Sequence, residues 1–483
     1  MVSFTSRITG VAALLAGVAL IAGCTTTVTG IAAVNRPDPT KVAGLDITTG
    51  PSGPKPGVPG ADLPVRNSDS SATDKLAVNA IADVQQYWTE QLPANFDRKF
   101  QPLRQLTSYD SNGPAMELCR TSTVRLVNAF YCSADDSVAW DRGELLPMLN
   151  DTFGPMSVVT VLAHEIGHAV QFRLAAAGLG DVGSPSIVKE QHADSYAGNF
   201  FRWVAEGKAP HFQVSTGPGL NQIMATLFFI RDSAGSSFDS EGAHGSAFDR
   251  VSAFQFGFDE GPKRCAKIDV AEVEARITQQ AFSPQEQDSG LGRGNLPADD
   301  VGALANVEST LREAFRSTGA QPPTISVDPM NCAGTQRTSP AAYCPSTNML
   351  TLDIDALVRI GTPPQRGRTG GIGDFAAFAE VASRYTLSVQ HAAGSSLDGP
   401  ATGQLTACLT GAWAGTLTPG KNPILQLSPG DLDEAVAELL SPTSLIAGDV
   451  NGKAVPSGFA RVEAFRDGFY APSTATCTSK YSA

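Results

Sequence analysis

A His-Glu-x-x-His pattern, His164-Glu165-Ile166-Gly167-His168, sits inside the apolar run VVTVLAHEIGHAVQF. Residues four apart share one face of an α-helix, so both imidazoles can reach one ion. Zinc takes imidazole nitrogen and carboxylate oxygen, and a catalytic zinc has three protein ligands and one position open to water. Glu165 is then placed as general base on that water. The plain alternative is two core histidines satisfied by hydrogen bonds. The chain has only six histidines in 483 residues, so chance assembly of the pattern is improbable and the metal reading is favoured. A third ligand must come from elsewhere. The segment VKEQHADSYAGNFFRWV, residues 188–204, offers Glu190, His192 and Asp194. Glu190 and Asp194 share a helical face. With Glu190 on the metal, Asp194 can accept a hydrogen bond from a ligand histidine and fix its tautomer. His192, on another face, is the competing ligand.

Helices must position these groups, and the chain is long enough for more than one sizeable core. Its 42% hydrophobic and 17% charged residues indicate a folded body. The net charge of −13, with no Lys/Arg cluster, argues against a nucleic-acid partner. Residues 1–23 read as a signal peptide: Arg7, then VAALLAGVALIAG, too short for an ordinary membrane span. The ending Ile21-Ala22-Gly23-Cys24 looks like a lipoprotein cleavage box. Cys24 is therefore the expected lipidation site, and acyl chains there would anchor the protein at the cell membrane, facing outward. Residues 24–75 are rich in Thr, Pro, Gly and Ser without apolar period, and read as a flexible tether. Structure is expected from about Leu76, where Leu76, Ala80, Ile81, Val84 and Trp88 share a helical face.

The remainder contains an internal echo. NAFYC is matched by PAAYC, SAFDRVSAFQFGF by SGFARVEAFRDGF, ADVQQYW by ANVESTL, and PGLNQIMATLF by PGDLDEAVAELL, all in one order. Two related halves follow, 76–275 and 296–483, joined by a linker at 276–295. The cysteines obey the same relation. It predicts bridges Cys119–Cys132 and Cys332–Cys344, each worth on the order of 3 kcal/mol. Cys408 is left for Cys477. The first-half counterpart of Cys408 is Ser195, which leaves Cys265 unpaired; a Cys265–Cys477 bridge between halves is the competitor.

The motifs VQQYW, FYC, AHEIGHAVQ, EQHADSYAG and HGSAFDRV, as an ordered set over most of the first half, resemble the bacterial neutral zinc metallopeptidases. That resemblance implies a zincin-like domain with a glutamate third ligand, and maps Glu190 onto it. It implies a helix-dominated α+β fold, here repeated in tandem. Two departures are Ser195, where the family often has Cys, and His192, where it has Gln. His244, in the family-like HGSAFDRV segment, becomes the candidate donor to a developing oxyanion. Arg250 in the same segment has a second-half equivalent, Arg461, which favours a structural role. His211 and His391 have no motif context and read as structural or surface groups. In the second half the aligned stretch is ASRYTLSVQ. His164, Glu165 and His168 become Ser383, Arg384 and Leu387; Glu190, Asp194 and His244 become Gly403, Ala407 and Val455. This copy is expected to be a pseudo-peptidase domain offering a surface to a protein partner.

The reading is a lipid-anchored extracytoplasmic zinc metallopeptidase, an endopeptidase rather than an exopeptidase, acting on proteins or peptides. The competing class is a zinc-binding lipoprotein scaffold without catalysis. Closed structural zinc sites carry four protein ligands, and no fourth is evident here, which favours the enzyme.

Overall fold

Six main helices and a small sheet in each half build the body, with helices over 49% of the chain and strands over 10%, the helix-dominated α+β class expected. The computed structural model describes residues 36–482 except 177, 179–182, 289–293, 329–331 and 365–370. The signal segment and Cys24 lie outside the described residues.

The described part of the expected tether is a strap fixed to the body. Lys41–Val42 pairs with Leu45–Asp46, and Val42 is fully buried. Thr48 N donates to Thr216 Oγ1 at 2.8 Å, and Gly53–Pro54 pairs antiparallel with Phe212–Gln213. Such anchoring uses single backbone and hydroxyl contacts, which leave no periodic apolar trace in sequence. Helix α1 (Ala72–Phe96) starts four residues before Leu76 because Ser71 caps it, accepting from Asp74 N at 3.2 Å. Ala80, Ile81, Val84 and Trp88 are fully buried along its inner face.

Asp74 ties α1 to the sheet. Its Oδ1 accepts from Ser108 Oγ at 2.6 Å and from Trp140 Nε1 at 2.9 Å. The sheet comprises β1 (Gln105–Tyr109), β2 (Ala129–Cys132) and β3 (Ser137–Asp141). β1 runs parallel to β3 with Leu106 opposite Val138; β2 runs antiparallel to β3 with Phe130 opposite Ala139. Val65–Arg66 flanks β1, so β2 is an edge. Five further helices complete this half: α2 (Leu145–Phe153), α3 (Pro155–Ala176), α4 (Ser186–Ala205), α5 (Pro218–Phe229) and α6 (Ala247–Glu260). The expected linker is anchored at its start, where the N–H groups of Thr278 and Gln279 donate to Asp249.

The second half repeats this order: α7 (Val301–Phe315), β4 (Thr324–Ser326), β5 (Ala341–Cys344), β6 (Met349–Leu352), α8 (Ile354–Gly361), α9 (Asp374–Ala392), α10 (Pro400–Thr416), α11 (Asp431–Leu440) and α12 (Gly458–Tyr470). A last helix, α13 (Thr474–Tyr481), follows. Strand pairing recurs too, with β4 parallel to β6 and β5 antiparallel to it. Glycines sit at matching contacts. A Cβ at Gly198 of α4 would land on the Phe254 carbonyl oxygen of α6, and one at Gly411 of α10 would land on that of Phe465 of α12. All three expected disulfides are present, Cys119–Cys132, Cys332–Cys344 and Cys408–Cys477, and Cys265 is free and buried. Ser195 Oγ faces its sulfur, as Cys408 faces Cys477.

The halves share one apolar core and so are not separate bodies. α5 and α6 pack on α11 and α12. Gln255 Nε2 donates to Phe459 O at 2.9 Å, Gly458 N donates to Asn221 Oδ1 at 3.0 Å, and Arg231 pairs with Asp433 at 3.1 Å. Gly198→Val and Gly411→Val should each destabilise the protein by at least the roughly 1–3 kcal/mol typical of overpacking. Urea unfolding followed by circular dichroism checks this, and the two losses should be similar.

Candidate metal centre

α3 is apolar on nearly every side and is buried along most of its length. It crosses α4 closely. A Cβ on Gly167 would sit 2.9 Å from the Ala193 Cα and backbone O, so only glycine lets α4 come this near. That approach carries Glu190 to the histidines. His164 Nε2 lies 3.1 Å from Glu190 Oε2, and His168 Nε2 lies 3.3 Å from Glu190 Oε1. One ligand atom from each of the three residues falls within 4.8 Å of the others. Ligands about 2.0–2.1 Å from a tetrahedral zinc stand roughly 3.3 Å apart, so the spacing fits. Glu190 Oε2 is buried and accepts no hydrogen bond, although His164 is so near. Two imidazole nitrogens and a carboxylate drawn this close make a donor set suited to zinc.

The surrounding groups orient the ligands. His164 Nδ1 donates to Asp194 Oδ1 at 2.8 Å, which leaves Nε2 to face Glu190. Asp194 in turn accepts both arms of Arg250, Nε to Oδ2 at 2.9 Å and Nη2 to Oδ1 at 2.8 Å. Asp194 and Arg250 are both buried. Burial disfavours a carboxylate, but Arg250 and His164 hold Asp194 below its ordinary range. Burial likewise works against charge on His164, yet Asp194 and Glu190 raise its pKa to about 10. A cation bound here would take the place of a proton at Nε2. Glu165 lies beside the histidines, almost buried, with Oε2 accepting from Tyr131 N at 2.8 Å. Burial pushes its pKa up, the two histidines opposing.

Of the residues singled out in the sequence, His164, Glu165, His168, Glu190 and Asp194 are brought together. His192 is not a ligand. Its Nε2 meets Ile268 O at 2.5 Å and its Nδ1 meets Gln171 Nε2 at 3.0 Å, so both ring nitrogens are occupied. His244 stands at the rim with its side chain 53% exposed. Asp232 holds it, accepting from His244 N at 2.8 Å and facing Nδ1 at 3.3 Å, and this contact raises the imidazole pKa. His211 pairs with buried Asp83, and His391 meets Tyr343 Oη. Arg250, for which the sequence favours a structural role, is buried in a two-armed ion pair with Asp194, the carboxylate that accepts from His164. Its place in HGSAFDRV is the signal for it. The backbone N–H of Tyr131 and the Asp232 carboxylate have no such signal.

In the second half the corresponding space is filled. Arg384, at the position of Glu165, donates to the carbonyls of Asp449, Leu445 and Gly448 at 2.6, 2.7 and 2.7 Å. The Ala447 backbone runs against Gly403, the position of Glu190, at 2.5 Å from where a Cβ would be.

No family model matches the chain, and no solved structure matches it. It is 25% identical over 167 residues to proteins described as uncharacterized from Mycobacterium tuberculosis and Mycobacterium bovis. The match covers 30% of this chain and 57% of theirs, so the chain spans little more than half the length of these relatives.

Asp194→Ala should weaken zinc binding about 10–100-fold, the usual effect of losing a group that orients a ligand histidine. Competition against a chelating dye measures it. Arg250→Met should weaken zinc as well and destabilise the fold by about 3–5 kcal/mol, because it leaves Oδ2 of the buried Asp194 without a donor. Calorimetric melting reads the second effect.

Proposed function

We propose that this protein is a zinc-dependent metallopeptidase, held on the outer face of the cell membrane through a lipid at Cys24. The observation that carries the reading is the convergence of His164, His168 and Glu190 with Glu165 beside them. Zinc held by the three ligands would supply Lewis acidity towards a peptide carbonyl and lower the pKa of water. Glu165 accepts the proton of the attacking water. Its raised pKa makes it a stronger base than an exposed carboxylate, and the Tyr131 N–H fixes one oxygen and leaves the other for water. The same carboxyl then returns the proton to the leaving amine. His244, oriented by Asp232, which also favours its protonated form, can donate to the developing oxyanion. The open rim formed by His244 and the partly exposed His168 suits an extended protein or peptide substrate, and cleavage within a chain.

The second half is proposed as a degenerate tandem copy of the same zincin-like domain. The repeated element order, strand pairing, glycine contacts and disulfide positions support common descent. Arg384 and Gly403 replace the chemistry with packing. The copy buttresses α5 and α6 and leaves its remaining surface to a protein partner.

The purified protein should hold one zinc per chain, and His168→Ala should hold none. Residual stoichiometric zinc in that variant would point to the second half. Glu165→Gln should keep zinc while peptide hydrolysis falls by about 10²–10⁴, the usual share of a general base. Mass-spectrometric scoring of a peptide library reads the activity. Zinc retained with no hydrolysis by the unaltered protein would contradict the peptidase reading.

A further inference from the structure

We infer a second metal site, for a hard divalent cation such as Ca²⁺, where Asp374, Asp431 and Glu434 meet at the N-termini of α9 and α11. One carboxylate oxygen from each lies within 4.8 Å of the others. Asp374 is 4% exposed and Asp431 8%, so the charges are concentrated away from bulk water.

Helix capping explains part of this arrangement. Glu434 Oε2 accepts from Phe375 N at 2.9 Å, at the start of α9. Asp431 Oδ2 accepts from Ser428 N at 2.8 Å, and Asp374 Oδ2 accepts from Leu296 N at 2.8 Å. Each of these bonds uses one oxygen. Asp374 Oδ1 is left buried with no hydrogen-bond partner. A buried carboxylate oxygen without a donor, beside two further carboxylates, is costly unless a cation meets it. Among the described residues, no basic group is among those that act most strongly on the three carboxyls. The charged groups that act most strongly on Asp431 are Asp374, Glu286 and Asp433, all acidic, and Asp433 already pairs with Arg231. Burial raises the pKa of all three carboxyls, that of Asp374 to about 6.

The donor set is oxygen only, which suits calcium or magnesium and not zinc. Calcium tolerates irregular geometry and completes its shell with water. Two cavities flank the cluster and give an entry path. One of about 320 Å³ reaches Asp374 and Asp431, and one of about 530 Å³ reaches Glu434. A cation here would clamp α9, α11 and the chain at Leu296 together. α11 is also the helix whose Asp433 grips Arg231 and Phe248 N of the first half. The ion would therefore stiffen the contact on which α6, and with it Arg250, is seated.

The test uses the full chain carrying its zinc. Terbium luminescence is suitable because Trp413 stacks on Phe375, the neighbour of Asp374, at 5.7 Å between ring centroids. We expect one Tb³⁺ per chain with emission sensitised by tryptophan and reversed by CaCl₂. The melting temperature should climb with each decade of CaCl₂. Asp374→Asn should fold, melt no lower than the unaltered protein without calcium, and respond to neither ion. Glu434→Gln, which still accepts from Phe375 N, is the second variant should the first misfold. His168→Ala should leave both responses intact. No terbium or calcium response in the unaltered protein, a response undiminished in the folded carboxylate variants, or one lost in His168→Ala would overturn the proposal.

Discussion

The contact of α3 with α4 at Gly167 is what the proposed chemistry rests on. The His164 and His168 pair is given by helix periodicity alone. A third ligand is not, and it arrives only because α4 passes close enough for Glu190 to reach both imidazoles. The same crossing sets Asp194 against His164. α6 then locks α4 in place through the glycine contact at Gly198 and through Arg250 on Asp194. Three helices thus hold one imidazole by packing on one side and by a buried guanidinium–carboxylate pair on the other. Such a chain is satisfied only as a whole, because each charge in it is buried and depends on the next.

On the proposed common descent, the second half shows what the scaffold keeps without the proposed chemistry. Its helices keep their order and their close glycine contacts. The space is closed by Arg384, whose guanidinium is spent on three backbone carbonyls. This is a stable use of a buried cation, since the guanidinium finds an acceptor for most of its donors. Arg384 of the second half therefore serves folding. In the first half, His168 and His244 keep part of their side chains exposed.

Much of this was legible in the residues. Four-residue spacing places His164 with His168, and Glu190 with Asp194, because helical faces are local facts. The disulfides follow from the internal echo, as does Ser195 facing Cys265, because matching positions occupy matching places in space. What spacing cannot convey is contact between distant segments. Nothing near His192 says that Gln171 and Ile268 will take up both its nitrogens. Nothing in the Pro- and Gly-rich stretch after residue 36 says that single hydroxyls of Thr48 and Ser52 will fasten it to Thr216 and Ser215. Arg250 was obscured by its own repeat: Arg461 matches it in sequence, yet its guanidinium reaches the Ser441 carbonyl and not a carboxylate that orients a ligand.

The central claim is that a zinc ion sits among His164, His168 and Glu190. Anomalous diffraction collected on either side of the zinc absorption edge, from crystals of the purified protein, addresses it most directly. The account predicts a single strong zinc peak within bonding distance of His164 Nε2, His168 Nε2 and a Glu190 carboxylate oxygen. A zinc peak elsewhere, or none at these residues in zinc-saturated crystals, would contradict it.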